Sequence, residues 1–230
     1  MALSQSVEDY IKSIYRLEAE NEGKGVPTTR IADYVGVSSA SVTNMIKRLA
    51  KMGLVNYESY YGTTLTASGK KIALEIIRHH RLLELYLMEV MGYSWDEVHD
   101  EAEKLEHHIS ERFEEKIAEL LDHPTHDPHG DPIPSKDGVM PEVATQPLTE
   151  AGKGEKLIIG RVLDQNPELL RYLDKIGLIP GADVVVVDKA PFQGPLTLRI
   201  EGREQVIGHE VGMQIFVTPL ASDDEEKSSN

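Results

Sequence analysis

The sequence predicts a mainly α protein that ends in a small β domain, and three observations carry this. Apolar residues recur at helical spacing through the first half, beginning with Val7, Tyr10, Ile11, Ile14, Tyr15 and Leu17. After residue 156 they alternate instead, in short runs at 157–162, 184–187, 196–200 and 213–217 separated by glycine turns, as in a small barrel. Between the two lies 123–154, where Pro, Gly and His cluster and few apolar residues occur. That segment reads as a linker, ordered at most in part.

The first helix breaks at Gly23 and Gly25. Ile31, Ala32, Tyr34 and Val35 form a short second helix that Gly36 ends. Ser38 or Ser39 can cap a third helix, whose apolar side is Val42, Met45, Ile46 and Leu49 and which Gly53 closes. Leu54-Val55-Asn56-Tyr57-Glu58 and Thr63-Thr64-Leu65-Thr66 then flank a Tyr60-Tyr61-Gly62 turn, a short β-hairpin. Helix, tight turn, capped helix and hairpin is the layout of a winged helix-turn-helix.

Residues 69–122 read as helical. Ile72, Leu74, Ile76, Ile77, Leu82, Leu83, Leu85, Tyr86, Leu87 and Val90 are too many for one face, so a second copy of the chain is expected against them. Gly92 stops that helix, and Ser94 with Glu97 forms a capping box for the next. In the C-terminal part a short helix starts at Pro167, where proline is tolerated in the first turn.

Composition narrows the function. The 230 residues contain 40% hydrophobic and 27% charged residues, ordinary for a globular chain. There is no cysteine, which removes disulfides, thiolate-bound zinc, iron–sulfur clusters and thiol catalysis together. No apolar run approaches the ~18 residues of a membrane span. The start, Met-Ala-Leu-Ser-Gln-Ser, resembles no secretory signal, so a cytoplasmic protein without a membrane partner is expected.

The net charge of −15 is unevenly spread. Residues 27–75 hold six basic and three acidic side chains, a net of +3, whereas 94–122 hold eleven acidic and three basic, a net of −8. The last nine residues carry −3 and read as a disordered acidic tail.

The basic head suits double-stranded DNA. On the third helix Ala40, Ser41 and Asn44 are candidates for base edges. Ser39, Thr43, Lys47 and Arg48 are candidates for phosphates, joined by Tyr60 at the wing tip. The plainer alternative is a three-helix module that binds protein.

The acidic middle holds a more specific pattern. His99, Glu103, Glu106 and His107 are spaced by four, three and one, near one face if helical. His80 and Glu84 form an i, i+4 pair on the preceding helix, and Asp9 adds a carboxylate from the first. Such nitrogen and oxygen sets suit Mn²⁺, Fe²⁺ or Zn²⁺. A solvated acidic helix is the alternative. His123, His126 and His129 sit in a proline-broken loop that promises no fixed geometry. A hydrolytic metal centre is a further alternative, but no glycine-rich loop or separate nucleophile accompanies it.

Several stretches together resemble the diphtheria toxin repressor family of metal-dependent transcriptional regulators. They are Glu8-Asp9-Tyr10-Ile11, Ser38-Ser39-Ala40-Ser41-Val42-Thr43, Leu65-Thr66-Ala67-Ser68-Gly69 and Arg78-His79-His80-Arg81-Leu82-Leu83-Glu84. His99 to His107 and Pro128-His129-Gly130-Asp131-Pro132-Ile133-Pro134 complete the set. The likeness covers about residues 4–220, and its metal-ligand pattern is nearest to the manganese transport regulators of the family.

The resemblance implies five regions. These are a winged helix-turn-helix over 1–75, a helical metal-binding and dimerisation domain over 76–140, a linker over 141–155, an SH3-like domain over 156–221 and a tail over 222–230. It implies a homodimer that binds a palindromic operator and represses metal-uptake genes when Mn²⁺, or next Fe²⁺, is replete. A metal-independent regulator signalled through the C-terminal domain is the alternative.

The resemblance also implies two metal sites per subunit. The primary one would use Asp9, Glu103, Glu106 and His107. The ancillary one would use His80, Glu84 and His99, with Gln165 and Glu168 from the SH3-like domain. The Pro-His-Gly-Asp-Pro-Ile-Pro stretch matches a family linker, which lowers the case for its histidine as a ligand. Iron-sensing relatives carry Met and Cys where Asp9 and Glu103 stand, so carboxylates here favour the harder Mn²⁺. Short manganese regulators carry Glu where Lys12 stands, and a charged lysine cannot ligate. Gln165 replaces a Glu common in the longer members.

Overall fold

The computed structural model describes residues 3–21, 24–58, 61–163 and 166–220. They divide into two compact units. The first comprises residues 1–83, 103–123 and 133–141; the second comprises 84–102, 124–132 and 142–230.

The first unit opens with α1 (Gln5–Glu20), α2 (Thr28–Val35) and α3 (Ser39–Lys51). Gly36, at φ +72°, ends α2 in the left-handed region that a side chain would strain. Two residues later the Ser38 hydroxyl accepts from the Ser41 amide and starts α3, a cap worth ~1 kcal/mol. β1 (Val55–Glu58) and β2 (Gly62–Leu65) pair antiparallel as the wing. Buried Glu18 on α1 accepts from the Leu65 amide at 3.1 Å, and Val26 bridges to Thr63, so the hairpin is fastened at two points. Val7, Ile11, Ile14, Ile31, Ile46 and Leu49 form the core beneath it. Each such side chain contributes roughly 1.5–3 kcal/mol by burial.

Three helices follow: α4 (Ala67–Glu89), α5 (Val98–Leu105) and α6 (Glu111–Leu120). Two expectations change here. Ile76, Ile77, Leu82, Leu83, Leu85 and Leu87 of α4 are already buried within one chain. The apolar excess of α4 therefore gives no argument for a second copy; dimerisation rests on the family, below. Secondly, α5 stops at Leu105. The His108 amide closes a tight turn on the Leu105 carbonyl, and the Ser110 hydroxyl caps α6 by accepting from the Phe113 amide. Glu106 and His107 thus lie in a turn rather than on the helix that carries Glu103.

In the second unit, β3 (Gln146–Pro147), β4 (Lys156–Val162), β5 (Asp183–Lys189), β6 (Leu196–Ile200), β7 (Arg203–Ile207) and β8 (Ile215–Pro219) form one antiparallel sheet in the order β3-β8-β4-β5-β6-β7. α7 (Pro167–Ile176) and the single turn α8 (His209–Gly212) interrupt it. Leu157, Ile159, Leu170, Leu173, Val186 and Val217 are central to its core.

The segment expected to be a loose linker is packed instead. Asp127, His129 and Asp131 are buried. Asp127 Oδ1 accepts from the His129 and Asp131 amides at 2.8 and 2.9 Å, which folds the loop on itself. Gly130, at φ +86°, presses against the Gly160 carbonyl so closely that a Cβ there would lie 2.0 Å from the oxygen. Leu148 and Ala151, inside the expected 141–155 linker, are buried in the sheet core.

Candidate metal centre and nucleic-acid surface

Asp9 and Lys12 are one turn apart on α1, and Glu103 lies near the end of α5. With Glu106 and His107 from the following turn they meet in the first unit. Ligand atoms of Asp9, Glu106 and His107 all lie within 4.8 Å of one another. His107 is the pivot. Its Nδ1 donates to Glu8 Oε2 at 2.7 Å, because a carboxylate can only accept. In the neutral ring Nε2 then carries the lone pair. That nitrogen is buried, makes no hydrogen bond, and lies 2.8 Å from Asp9 Oδ1 and 3.3 Å from Glu106 Oε1.

Burial raises the Asp9 carboxyl above its usual range against the pull of His107 and Lys12, and the Glu103 and Glu106 charges add to the rise. Glu8, Asp9, Glu103 and Glu106 surround one lysine and two imidazoles here. A buried lone pair facing excess carboxylate fits a divalent cation of the Mn²⁺, Fe²⁺ or Zn²⁺ type.

Glu103, expected as the fourth ligand, is outside that group of three. Its Oε2 accepts from Lys12 Nζ at 2.7 Å, and the same ammonium reaches Glu106 Oε1 at 2.5 Å. His80, expected in the ancillary set, turns its Nδ1 to Glu106 Oε2 at 2.5 Å. Beside it, His79 Nε2 lies 3.1 Å from Glu114 Oε2, and Arg78 Nε donates to Glu114 Oε1 at 2.5 Å.

The other expected ancillary residues belong to the second unit. There Glu84 meets His99 at 3.1 Å, and Glu84, Asp127 and His129 form a group of buried candidate ligands. His129 Nε2 donates to the Trp95 carbonyl at 2.8 Å, and the two rings stack with centroids 5.6 Å apart. Its Nδ1 is left facing Glu84 Oε2 at 3.8 Å. Fixing one imidazole nitrogen on a carbonyl so that the other is presented is the usual support of a ligating histidine. Glu168, in the first turn of α7, is exposed and not part of this group. Gln165 lies outside the described residues.

His123 and His126 are exposed, in keeping with the weak expectation for them, whereas His129 is buried and held in a fixed orientation that its proline-broken loop does not announce. Glu8, as the partner of His107, is a further residue that sequence reasoning does not single out. An acidic residue beside Asp9 carries no signal of which of the two faces the histidine.

On α3, Ser39, Ala40, Ser41, Asn44, Lys47 and Arg48 are exposed and Thr43 is half-buried. The Thr43 hydroxyl donates to the Ser39 carbonyl and the Ser41 hydroxyl lies 2.9 Å from that of Ser38. The face therefore presents small hydroxyls first and cations later. Tyr60 lies outside the described residues; its neighbour Tyr61 is 77% exposed.

Three family descriptions match in succession. Residues 2–63 match the iron dependent repressor N-terminal DNA binding domain. Residues 66–135 match its metal binding and dimerisation domain, and 146–219 the FeoA domain. The iron-dependent repressor IdeR of Mycobacterium tuberculosis is 33% identical over 94% of this chain and 97% of its own. This chain belongs to the iron-dependent repressor family.

Solved structures agree with that membership. A manganese-dependent transcriptional repressor in complex with manganese is 36% identical, with a TM-score of 0.85 over 93% of this chain and all of that one. ScaR with bound Cd²⁺ is 34% identical, with a TM-score of 0.78 over 93% and 99%. Like these iron-dependent repressor family proteins, the chain combines an N-terminal DNA-binding domain, a helical domain and a C-terminal SH3-like β domain. Among the described residues no helix is long and apolar enough to cross a membrane.

Proposed function

We propose that this chain is a metal-activated transcriptional repressor. It binds a palindromic operator as a homodimer and silences metal-uptake genes when Mn²⁺ is replete, with Fe²⁺ the next candidate. The observation that carries this is the buried His107 Nε2, which makes no hydrogen bond and is aimed at Asp9 and Glu106. α1 supplies Asp9 and shares a hydrophobic core with α3, so the cluster ties the reading helix to the α5–α6 turn.

Asp9, Glu106 and His107 would hold the divalent cation, which would supply charge neutralisation and a fixed link. Glu8 orients the imidazole, and without the ion Lys12 holds Glu103 and Glu106. Ion binding favours the arrangement that fits the operator, and by linkage DNA tightens ion binding by the same factor. Glu84, Asp127 and His129 are a second candidate site, which shares Glu84 with the ancillary set that the resemblance implies. A carboxylate-rich donor set favours Mn²⁺ on ligand type, while geometry and supply decide among later metals.

Selection of bound duplexes from a random pool tests this reading. It runs in parallel with Mn²⁺, with Fe²⁺ under anoxia, and with chelator. A palindrome enriched only with metal is the expected result. Equal enrichment in chelator would contradict it and favour a metal-independent regulator.

A further inference from the structure

Lys12 is a feature of the primary cluster that a plain metal site does not need. Its side chain is 5% exposed and its ammonium bridges Glu103 Oε2 and Glu106 Oε1, at 2.7 and 2.5 Å. Glu106 Oε1 is also 3.3 Å from His107 Nε2, so one oxygen faces both the ammonium and the candidate ligand set. Glu103, held by the same bridge, lies outside that set. A dication placed among Asp9, Glu106 and His107 would stand within a few ångströms of a buried positive charge, where screening by water is weak.

We propose that Lys12 is a tethered cation that competes with the divalent ion for Glu106 and Glu103. Filling the site requires the ammonium to swing out of the cluster, and Glu103 then joins the ligands. Lys12 thereby raises the metal concentration at which the protein switches on. Without metal, it prevents two adjacent carboxylates from repelling each other. The inference rests on the metal reading above and adds a residue that sets its threshold.

The test uses the full chain and Mn²⁺ titrations read by the free-ion paramagnetic resonance signal. The ion lost in Asp9→Ala is the one assigned to this site. Lys12→Gln should bind that ion roughly tenfold or more tightly, and its metal-free melting temperature should fall. Lys12→Arg, which keeps a cation, should restore the wild-type affinity. Lys12 merely packing against its neighbours would lower stability without tightening Mn²⁺ binding.

Amine acylation of the wild-type chain, followed by mass spectrometry, reads the same event without any variant. Lys12 should be protected without metal and become reactive with Mn²⁺. Equal or weaker Mn²⁺ affinity in Lys12→Gln overturns the competition, as does a Lys12 that stays protected at saturating Mn²⁺. If Asp9→Ala binds Mn²⁺ like the wild type, the primary site itself fails, and the role of Lys12 fails with it.

Discussion

Glu8 and His107 are 99 positions apart in sequence, yet Glu8 Oε2 accepts from His107 Nδ1 at 2.7 Å. That contact sets the tautomer and points Nε2 at Asp9 and Glu106. Partners of this kind hold ligand orientation, and their loss typically lowers metal affinity ten- to a hundredfold. Glu8→Gln should therefore weaken Mn²⁺ binding by about that range while the fold and melting curve change little. Isothermal titration of Mn²⁺ into the variant checks this, and an unchanged affinity would remove Glu8 from the site.

The second candidate site makes a separate demand. His129 presents Nδ1 toward Glu84 because Nε2 is fixed on the Trp95 carbonyl. His129→Gln should lose one Mn²⁺ per chain, counted by metal analysis after gel filtration, and keep the ion held through Asp9. Full stoichiometry in that variant would leave Glu84, Asp127 and His129 as a structural network alone.

The exposed face of α3 separates affinity from specificity. Lys47→Ala should weaken binding to every duplex and reduce the salt slope by about one, whereas Asn44→Ala should change which sequence is preferred. Fluorescence anisotropy across a salt series distinguishes the two. A salt slope unaffected by Lys47→Ala would take that side chain off the phosphates.

Glu114 and His79 predict a pH window for stability. Burial raises the Glu114 carboxyl, but hydrogen bonds from His79 and Arg78, with their charges, outweigh it and hold it below the usual 4.5. Its contribution is complete above that value and is lost as pH falls through the depressed one. Burial lowers His79, but the hydrogen bond and charge of Glu114, helped by the Glu106 carbonyl and the Glu75 charge, raise it above 6.5. Its contribution is complete below 6.5 and is lost as pH rises through the raised value. The pair should therefore stabilise most between 4.5 and 6.5. Glu114→Gln leaves the Arg78 charge half-stranded and should cost about 3 kcal/mol. Urea midpoints measured across pH should flatten in that variant; an identical pH profile would show that the pair does not couple to folding.

Local chemistry makes the reading head legible in the sequence. Gly36 ends one helix, Ser38 caps the next, and Val42, Ile46 and Leu49 mark its inner face, all within a dozen or so residues. The candidate ligands Asp9, Glu106 and His107 are legible as residue types. Their grouping is not, because α5 ends at Leu105 and the turn after it, rather than a helical face, delivers two of the three. β7 leaves little trace because Arg203-Glu204-Gln205-Val206-Ile207 is a charged edge strand with little alternation. The 127–131 loop reads as unstructured because its order comes from one carboxylate, Asp127, and from contact with Gly160. Lys12 reaches Glu103 across 91 positions, a pairing that no local pattern encodes.

A cation at Asp9, Glu106 and His107 is proposed to switch on DNA binding. The most direct measurement is operator anisotropy for the wild type and Asp9→Ala, each with Mn²⁺ and with chelator, alongside sedimentation to check the dimer. The wild type should bind only with Mn²⁺, and an intact Asp9→Ala dimer should bind under neither condition. Mn²⁺-dependent binding by Asp9→Ala at wild-type affinity would contradict it.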